Sequence, residues 1–99
     1  MKIGDVVVDP SDLARLCKES DISYLALFGS YLRGDNRKDS DMDLLVRFKE
    51  VKSLFELVDV KDKFEQKLGK PVDLVTEKFL SPYFRDEVVK RARVLYEEE

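Results

Sequence analysis

A chain of 99 residues has room for one hydrophobic core and so for one domain spanning residues 1–99, burying roughly two-thirds of the surface its unfolded form exposes. With 43% hydrophobic and 39% charged residues it reads as a globular chain with a heavily charged surface, which excludes a disordered segment. The net charge of −3 argues against direct nucleic-acid binding, and the absence of histidine removes the commonest metal ligand and general base.

Any metal site must then be built from oxygen ligands, which suits Mg²⁺, Mn²⁺ or Ca²⁺ and disfavours zinc. Met1-Lys2-Ile3-Gly4-Asp5 has neither the apolar run nor the cleavage site of a leader, and the chain has no membrane span. The expected location is the cytoplasm, with no membrane partner. The single cysteine, Cys17, sits at helical spacing from Leu13 and reads as a small core residue.

In chain order, Ile3 to Val8 forms either a short strand or an extended arm. Asp9-Pro10-Ser11-Asp12 predicts a helix start, with Asp9 or Ser11 as N-cap and Leu13, Leu16 and Cys17 on its apolar face, ending near Ser20-Asp21. Tyr24-Leu25-Ala26-Leu27-Phe28 is apolar on both faces, as an interior strand covered on each side should be. Gly29-Ser30 stops it, and a short helix, a polar loop and a second strand from Asp41 follow. Arg37 and Lys38 read as solvated loop charges.

Ser53-Leu54-Phe55-Glu56 matches a capping box for a helix carrying Leu57, Val60, Phe64 and Leu68, which Gly69 and Pro71 terminate. Val72-Asp73-Leu74-Val75 predicts a short strand. A last helix is expected to start at Ser81-Pro82, with Phe84, Val88, Val89 and Ala92 toward the core and a basic outer side. Val94-Leu95-Tyr96 closes the chain as an edge strand before the acidic tail Glu97-Glu98-Glu99. Tyr31, Tyr83 and Tyr96 read as packing residues. The fold class is α/β (α+β): a small mixed sheet with helices packed on it.

The chemistry gathers between Gly29 and Val46. Alternation in a strand puts Asp41, Asp43, Leu45 and Arg47 on one face and the apolar Met42, Leu44, Val46 and Phe48 on the other. Asp41 and Asp43 are then about 6.6 Å apart along the backbone, two strand rises, so their carboxylates can share a cation. Without one they repel. Upstream, Gly29-Ser30 lies where a buried strand turns into a helix, a place where backbone N–H groups meet an anion, and Arg33 stands about one helical turn later for a charge-assisted phosphate contact.

That layout suits a nucleoside triphosphate with a divalent ion between carboxylates and phosphate oxygens. A third carboxylate is needed to complete the cage and to accept a proton from an attacking hydroxyl. Asp73, an acid inside an otherwise apolar strand, is the candidate. In-line attack at the α-phosphorus would release pyrophosphate.

With these residues in place the sequence resembles a minimal nucleotidyltransferase of the DNA polymerase beta superfamily. The motif Gly-Ser, ten residues, Asp-x-Asp is met by Gly29, Ser30, Asp41 and Asp43, with Arg33-Gly34 and Ser40 at positions commonly seen within it. The likeness continues through Ser53 to Leu68, Pro71 to Val75 and Leu80 to Glu87, and so covers nearly the whole chain from about Leu13.

The resemblance implies a nucleotidyltransferase fold, ATP as substrate, Mg²⁺ (one or two ions) on Asp41, Asp43 and Asp73, and nucleotide contacts from Gly29, Ser30 and Arg33. It also implies the antitoxin of a two-protein module that moves AMP from ATP onto a hydroxyl, expected to be a tyrosine, of a HEPN-domain RNase toxin. Two alternatives stay open: a non-catalytic antitoxin that neutralises by binding, and a small-molecule nucleotidyltransferase with a separate substrate-binding subunit. The small size favours an acceptor presented by another protein, and a homo-oligomer is compatible with all three.

Overall fold

The computed structural model of the protein describes residues 1–37 and 39–98; Lys38 and Glu99, assigned above to the loop charges and the acidic tail, lie outside the described residues. The first apolar residues close a small hairpin. β1 (Lys2–Ile3) pairs antiparallel with β2 (Val6–Val7), burying Ile3, Val6 and Val8 and leaving Val7 exposed. Asp9 then caps α1 (Pro10–Glu19), its Oδ1 accepting the Ser11 N–H at 2.8 Å, and Leu13, Leu16 and Cys17 form the buried stripe. Burial pushes the Cys17 thiol up to about 12, as expected of a core residue rather than a reactive one.

β3 (Ile22–Phe28), the short α2 (Ser30–Arg33), β4 (Met42–Phe48), α3 (Leu54–Leu68) and β5 (Val72–Thr76) follow. A single 3₁₀ turn at Glu77–Phe79, α4 (Arg85–Arg91) and β6 (Arg93–Glu97) complete the order. The main sheet runs β5-β4-β3-β6, with β3 antiparallel to β4 and β6, and β4 parallel to β5. It is the small mixed sheet of the expected α/β class.

Both faces of this sheet are covered, for the reason visible in β3. Leu25 and Leu27 join Met42, Leu44 and Val46 under α1 and α3, while Tyr24, Ala26 and Leu45 meet Leu80, Val89 and Ala92 on the α4 side. The Ser53 hydroxyl accepts the Glu56 N–H at 3.2 Å and Glu56 accepts the Ser53 N–H at 3.3 Å, so the predicted capping box starts α3. Gly69, at φ 68°, ends it. Two contacts then set the height of β5 against β4. Glu65 Oε2 accepts the Val72 N–H, and the Met42 N–H donates to the Pro71 carbonyl, both at 2.9 Å.

The last helix departs from expectation. It begins at Arg85 rather than at Ser81-Pro82, and Phe84 is 64% exposed rather than in the core. The inward stripe of α4 is spaced as Arg85, Val89 and Ala92, which leaves Phe84 off that face. Arg85 fills the first inward place by donating to the Glu77 carbonyl at 3.0 Å and the Leu80 carbonyl at 3.5 Å. Tyr83, expected to pack, is 92% exposed; Tyr31 is buried and Tyr96 packs against the core as expected.

Phe64 is the largest side chain with no exposed surface and joins α3 to the sheet. Phe64→Ala should destabilise the fold by about 3–5 kcal/mol, a loss that urea denaturation would measure directly.

Candidate active site

The site forms at the end of the sheet where β4 and β5 begin. Met42, Leu44 and Val46 are buried under α1 and α3, and Leu45 is buried on the opposite face, so β4 is fixed from both sides except at its first acid. Asp43, half-buried, shares the face of Leu45 at that open end. The parallel register sets Asp43 opposite Asp73, and the antiparallel register sets Phe28 on its other flank. Paired strands lie about 4.8 Å apart, so two acids remote in sequence become neighbours. Asp41 is exposed and immediately precedes β4; Asp73 is exposed as the second residue of β5.

Gly29 closes against these acids from the β3 side. Its φ of 76° and ψ of −152° belong to a region essentially reserved for glycine. A Cβ there would stand 2.1 Å from Asp43 Oδ2 and 2.9 Å from its Cγ. The backbone therefore touches the carboxylate, and no other residue type fits. Ser30 opens α2 next to it. The Ser30 carbonyl accepts the Gly34 N–H at 2.9 Å and the Asp35 N–H at 3.2 Å, which turns the chain back after one helical turn. Gly34, at φ 81°, permits that reversal.

Arg33 leaves the end of α2 with its Nε donating to Asp35 Oδ2 at 3.2 Å. Its positive charge nevertheless acts on Asp43. The Asp43 carboxyl is held above its ordinary range chiefly by burial, then by the charges of Asp73 and Asp41, and Arg33 offsets part of this. Of the six residues singled out in the sequence, Asp43 pairs in register with Asp73 and lies against Gly29; Ser30 and Arg33 follow Gly29 on α2, and Asp41 immediately precedes β4.

Among the described residues, no three His, Cys, Asp or Glu side chains converge closely enough to hold a metal ion. The chemistry of the donor set still fits a hard divalent cation. Asp41, Asp43 and Asp73 offer oxygen only, and they repel one another at the one place where Gly29 leaves no room for a side chain. A cation among them would offset the repulsion from Asp73 and Asp41 that adds to burial in raising Asp43.

One residue with a role at this site was read in the sequence only as packing. Tyr31 is buried against the small hairpin, where a Cβ on Gly4 would meet its Cδ1 at 3.2 Å. Its hydroxyl donates to the Ser40 carbonyl at 3.5 Å, while Ser40 Oγ accepts the Arg37 N–H at 2.7 Å. Tyr31 therefore ties the loop that delivers Asp41 to the core. The available signal was a lone aromatic ring between Gly29-Ser30 and a polar loop.

The sequence matches the family described as polymerase beta, nucleotidyltransferase, over residues 12–99. It is 42% identical over 67 residues to a protein of Methanocaldococcus jannaschii provisionally named protein adenylyltransferase MJ0435, covering 68% of this chain and 72% of that one. A solved structure provisionally named a minimal nucleotidyltransferase is 37% identical, with a TM-score of 0.72 over 84% of this chain and 85% of that chain. The fold is also that of one chain in a solved complex of a tri-AMPylated Shewanella oneidensis HEPN toxin with MNT antitoxin, at 21% identity and a TM-score of 0.64 over 89% of this chain and 69% of that chain. Among the described residues no helix is long and apolar enough to cross a membrane. The chain belongs to the polymerase beta nucleotidyltransferase family.

Proposed function

We propose that residues 1–99 act as one cytoplasmic domain that transfers AMP from ATP to a hydroxyl, a tyrosine by preference, of a partner HEPN-domain toxin, and so serve as its antitoxin. The observation that carries this reading is the pairing of Asp43 with Asp73 across β4 and β5, with the Gly29 backbone pressed against Asp43. Gly29 and Ser30 would receive the triphosphate at the start of α2, and Arg33 would supply a charge to it. Asp41, Asp43 and Asp73 would hold Mg²⁺, which when bound neutralises phosphate charge and polarises the phosphoryl centre.

The residues of the chain have separate tasks in this scheme. Asp73, exposed at the sheet edge, accepts the proton of the acceptor hydroxyl. The freed oxygen then bonds to the α-phosphorus as the bond to the bridging oxygen breaks, and pyrophosphate leaves. Asp43 sits too deep and too close to Gly29 to meet a protein acceptor, which suits it to holding rather than proton transfer. The toxin supplies the acceptor, and neither a membrane nor nucleic acid is needed.

Replacing Asp41 and Asp43 together by alanine should lower AMP transfer by at least about 10³-fold, read as loss of adenylate mass on the co-expressed HEPN protein. Toxin neutralisation that persists without any adduct would sink the enzymatic reading in favour of binding alone. Gly29→Ala should also abolish transfer and cost on the order of 1–3 kcal/mol of stability, measurable in the same urea titrations.

The raised Asp43 carboxyl has a further consequence for pH and metal. An acid that binds its proton more tightly folded than unfolded costs no stability below its ordinary range, and weakens the fold as pH rises through its raised value. In EDTA at pH 7, Asp43→Asn should therefore melt at a higher temperature than the wild type, and the gain should vanish as pH falls through the carboxylate range. Adding Mg²⁺ should raise the wild-type melting temperature and leave that of the variant nearly unchanged.

A further inference from the structure

The apolar stripe of α3 is longer than the core it serves. Val60, Phe64 and Leu68, one stripe running from its middle to its end, are buried. In the first half, Leu54 is 73% and Val58 50% exposed, although Leu54, Leu57, Val58 and Lys61 share one helical face. That face overhangs the edge strand β5 and is met from the other side by Phe79, itself 78% exposed on the 3₁₀ turn. Between them run two hollows of about 460 and 230 Å³ that share Val46, Leu57, Thr76 and Phe79 and so form one groove. Its smaller lobe reaches β5 at Asp73 and Leu74, so the groove runs along the edge strand that carries Asp73 into the candidate active site.

The charge around this groove is opposite in sign to that of the chain. Arg47, Lys49, Lys52, Lys61 and Lys78 line it, against Glu50, Asp73 and Glu77, in a chain of net charge −3. Arg47 is already paired with Glu77, Lys49 with Glu98, and Lys52 with Asp21 and Glu56. Among the described residues Lys61 and Lys78, one in each lobe, have no carboxylate within ion-pairing distance. An apolar floor with an unanswered cation in each lobe matches an amphipathic protein segment with carboxylates flanking its apolar side. Nucleic acid lacks the apolar face, and would meet the carboxylates of Asp73 and Glu77.

We propose that this groove between α3, β5 and the Glu77–Phe79 turn docks the acceptor protein, taking an acidic, amphipathic segment of it and holding the acceptor hydroxyl at the Asp73 end. This rests on the transfer of AMP to a partner protein put forward above. Lys61 and Lys78 set the direction of the segment, and Leu54, Val58 and Phe79 supply its apolar contact.

The test uses Val58→Asp, Phe79→Asp and the double charge reversal Lys61→Glu/Lys78→Glu, all at exposed positions outside the candidate catalytic set. The probe is a HEPN-domain protein co-expressed with this chain and shown to bind it. Each variant should keep the wild-type melting temperature and ATP affinity, and raise KM for the HEPN protein by about tenfold or more with kcat at saturation unchanged. An unchanged KM in all three overturns the proposal. So does a wild-type homodimer in sedimentation that the same substitutions dissociate, since a second copy would then cover the groove. If the wild type binds the HEPN protein but transfers no AMP, the enzymatic reading fails, and calorimetric titration of the same variants still decides the docking surface.

Discussion

Asp43 and Asp73 are placed side by side by the parallel register of β4 and β5, and most of the structure can be understood as what holds them there. Like charges so close would push two strands apart if the strands had nothing else in common. Here they have a great deal. Met42, Leu44 and Val46 of β4 and Val72 of β5 lie in the core under α1 and α3, and Leu45 is sealed from the other face by the α4 side. Burial of those side chains, each contributing roughly 1.5–3 kcal/mol, offsets the repulsion at the strand starts.

Register is held separately from burial. A slip of one residue along β5 would exchange Asp73 with an apolar neighbour and send the acid into the core. The bond from the Val72 N–H to Glu65 and from the Met42 N–H to the Pro71 carbonyl stand at the mouth of the pair, where a slip would begin. The capped and glycine-terminated α3 therefore acts on the chemistry at a distance: its length decides where β5 starts. Gly29 acts at contact range, since its missing side chain is what admits the Asp43 carboxylate.

The two ends of α3 serve different needs. The stripe of Val60, Phe64 and Leu68 completes the core, while Leu54 and Val58 near its start extend an apolar face beyond the sheet. On the proposed reading, the overhanging first turns of α3 supply the surface that meets the acceptor. The 3₁₀ turn, braced by Arg85 on the carbonyls of Glu77 and Leu80 and by the Arg47–Glu77 pair, carries Phe79 to the opposite wall. Arg47 also lies over the Tyr24 ring at 4.9 Å, which links that wall to the centre of the sheet.

Much of this was legible in the residues themselves. Short-range signals are local chemistry: Asp9 and Ser53 as caps, Gly69 as a stop, the two-faced apolar run of β3, and the spacing from Gly29-Ser30 to Asp41 and Asp43. The last helix starts later than its Ser-Pro step predicts, because such a step reports only where a helix is permitted, whereas the inward stripe of α4 runs through Arg85, whose guanidinium replaces an apolar residue by bonding carbonyls of a preceding turn. Tyr31 looked like packing because its hydrogen bond to the Ser40 carbonyl depends on a loop closing over it. The sequence by itself determined which residues carry charge, turn and apolar periodicity, because those are properties of single side chains and their near neighbours. Only the tertiary structure decided that Asp73 stands beside Asp43, that Gly29 touches a carboxylate and that half of α3 is left uncovered, because each depends on a register or an overhang between strands and helices distant in the chain.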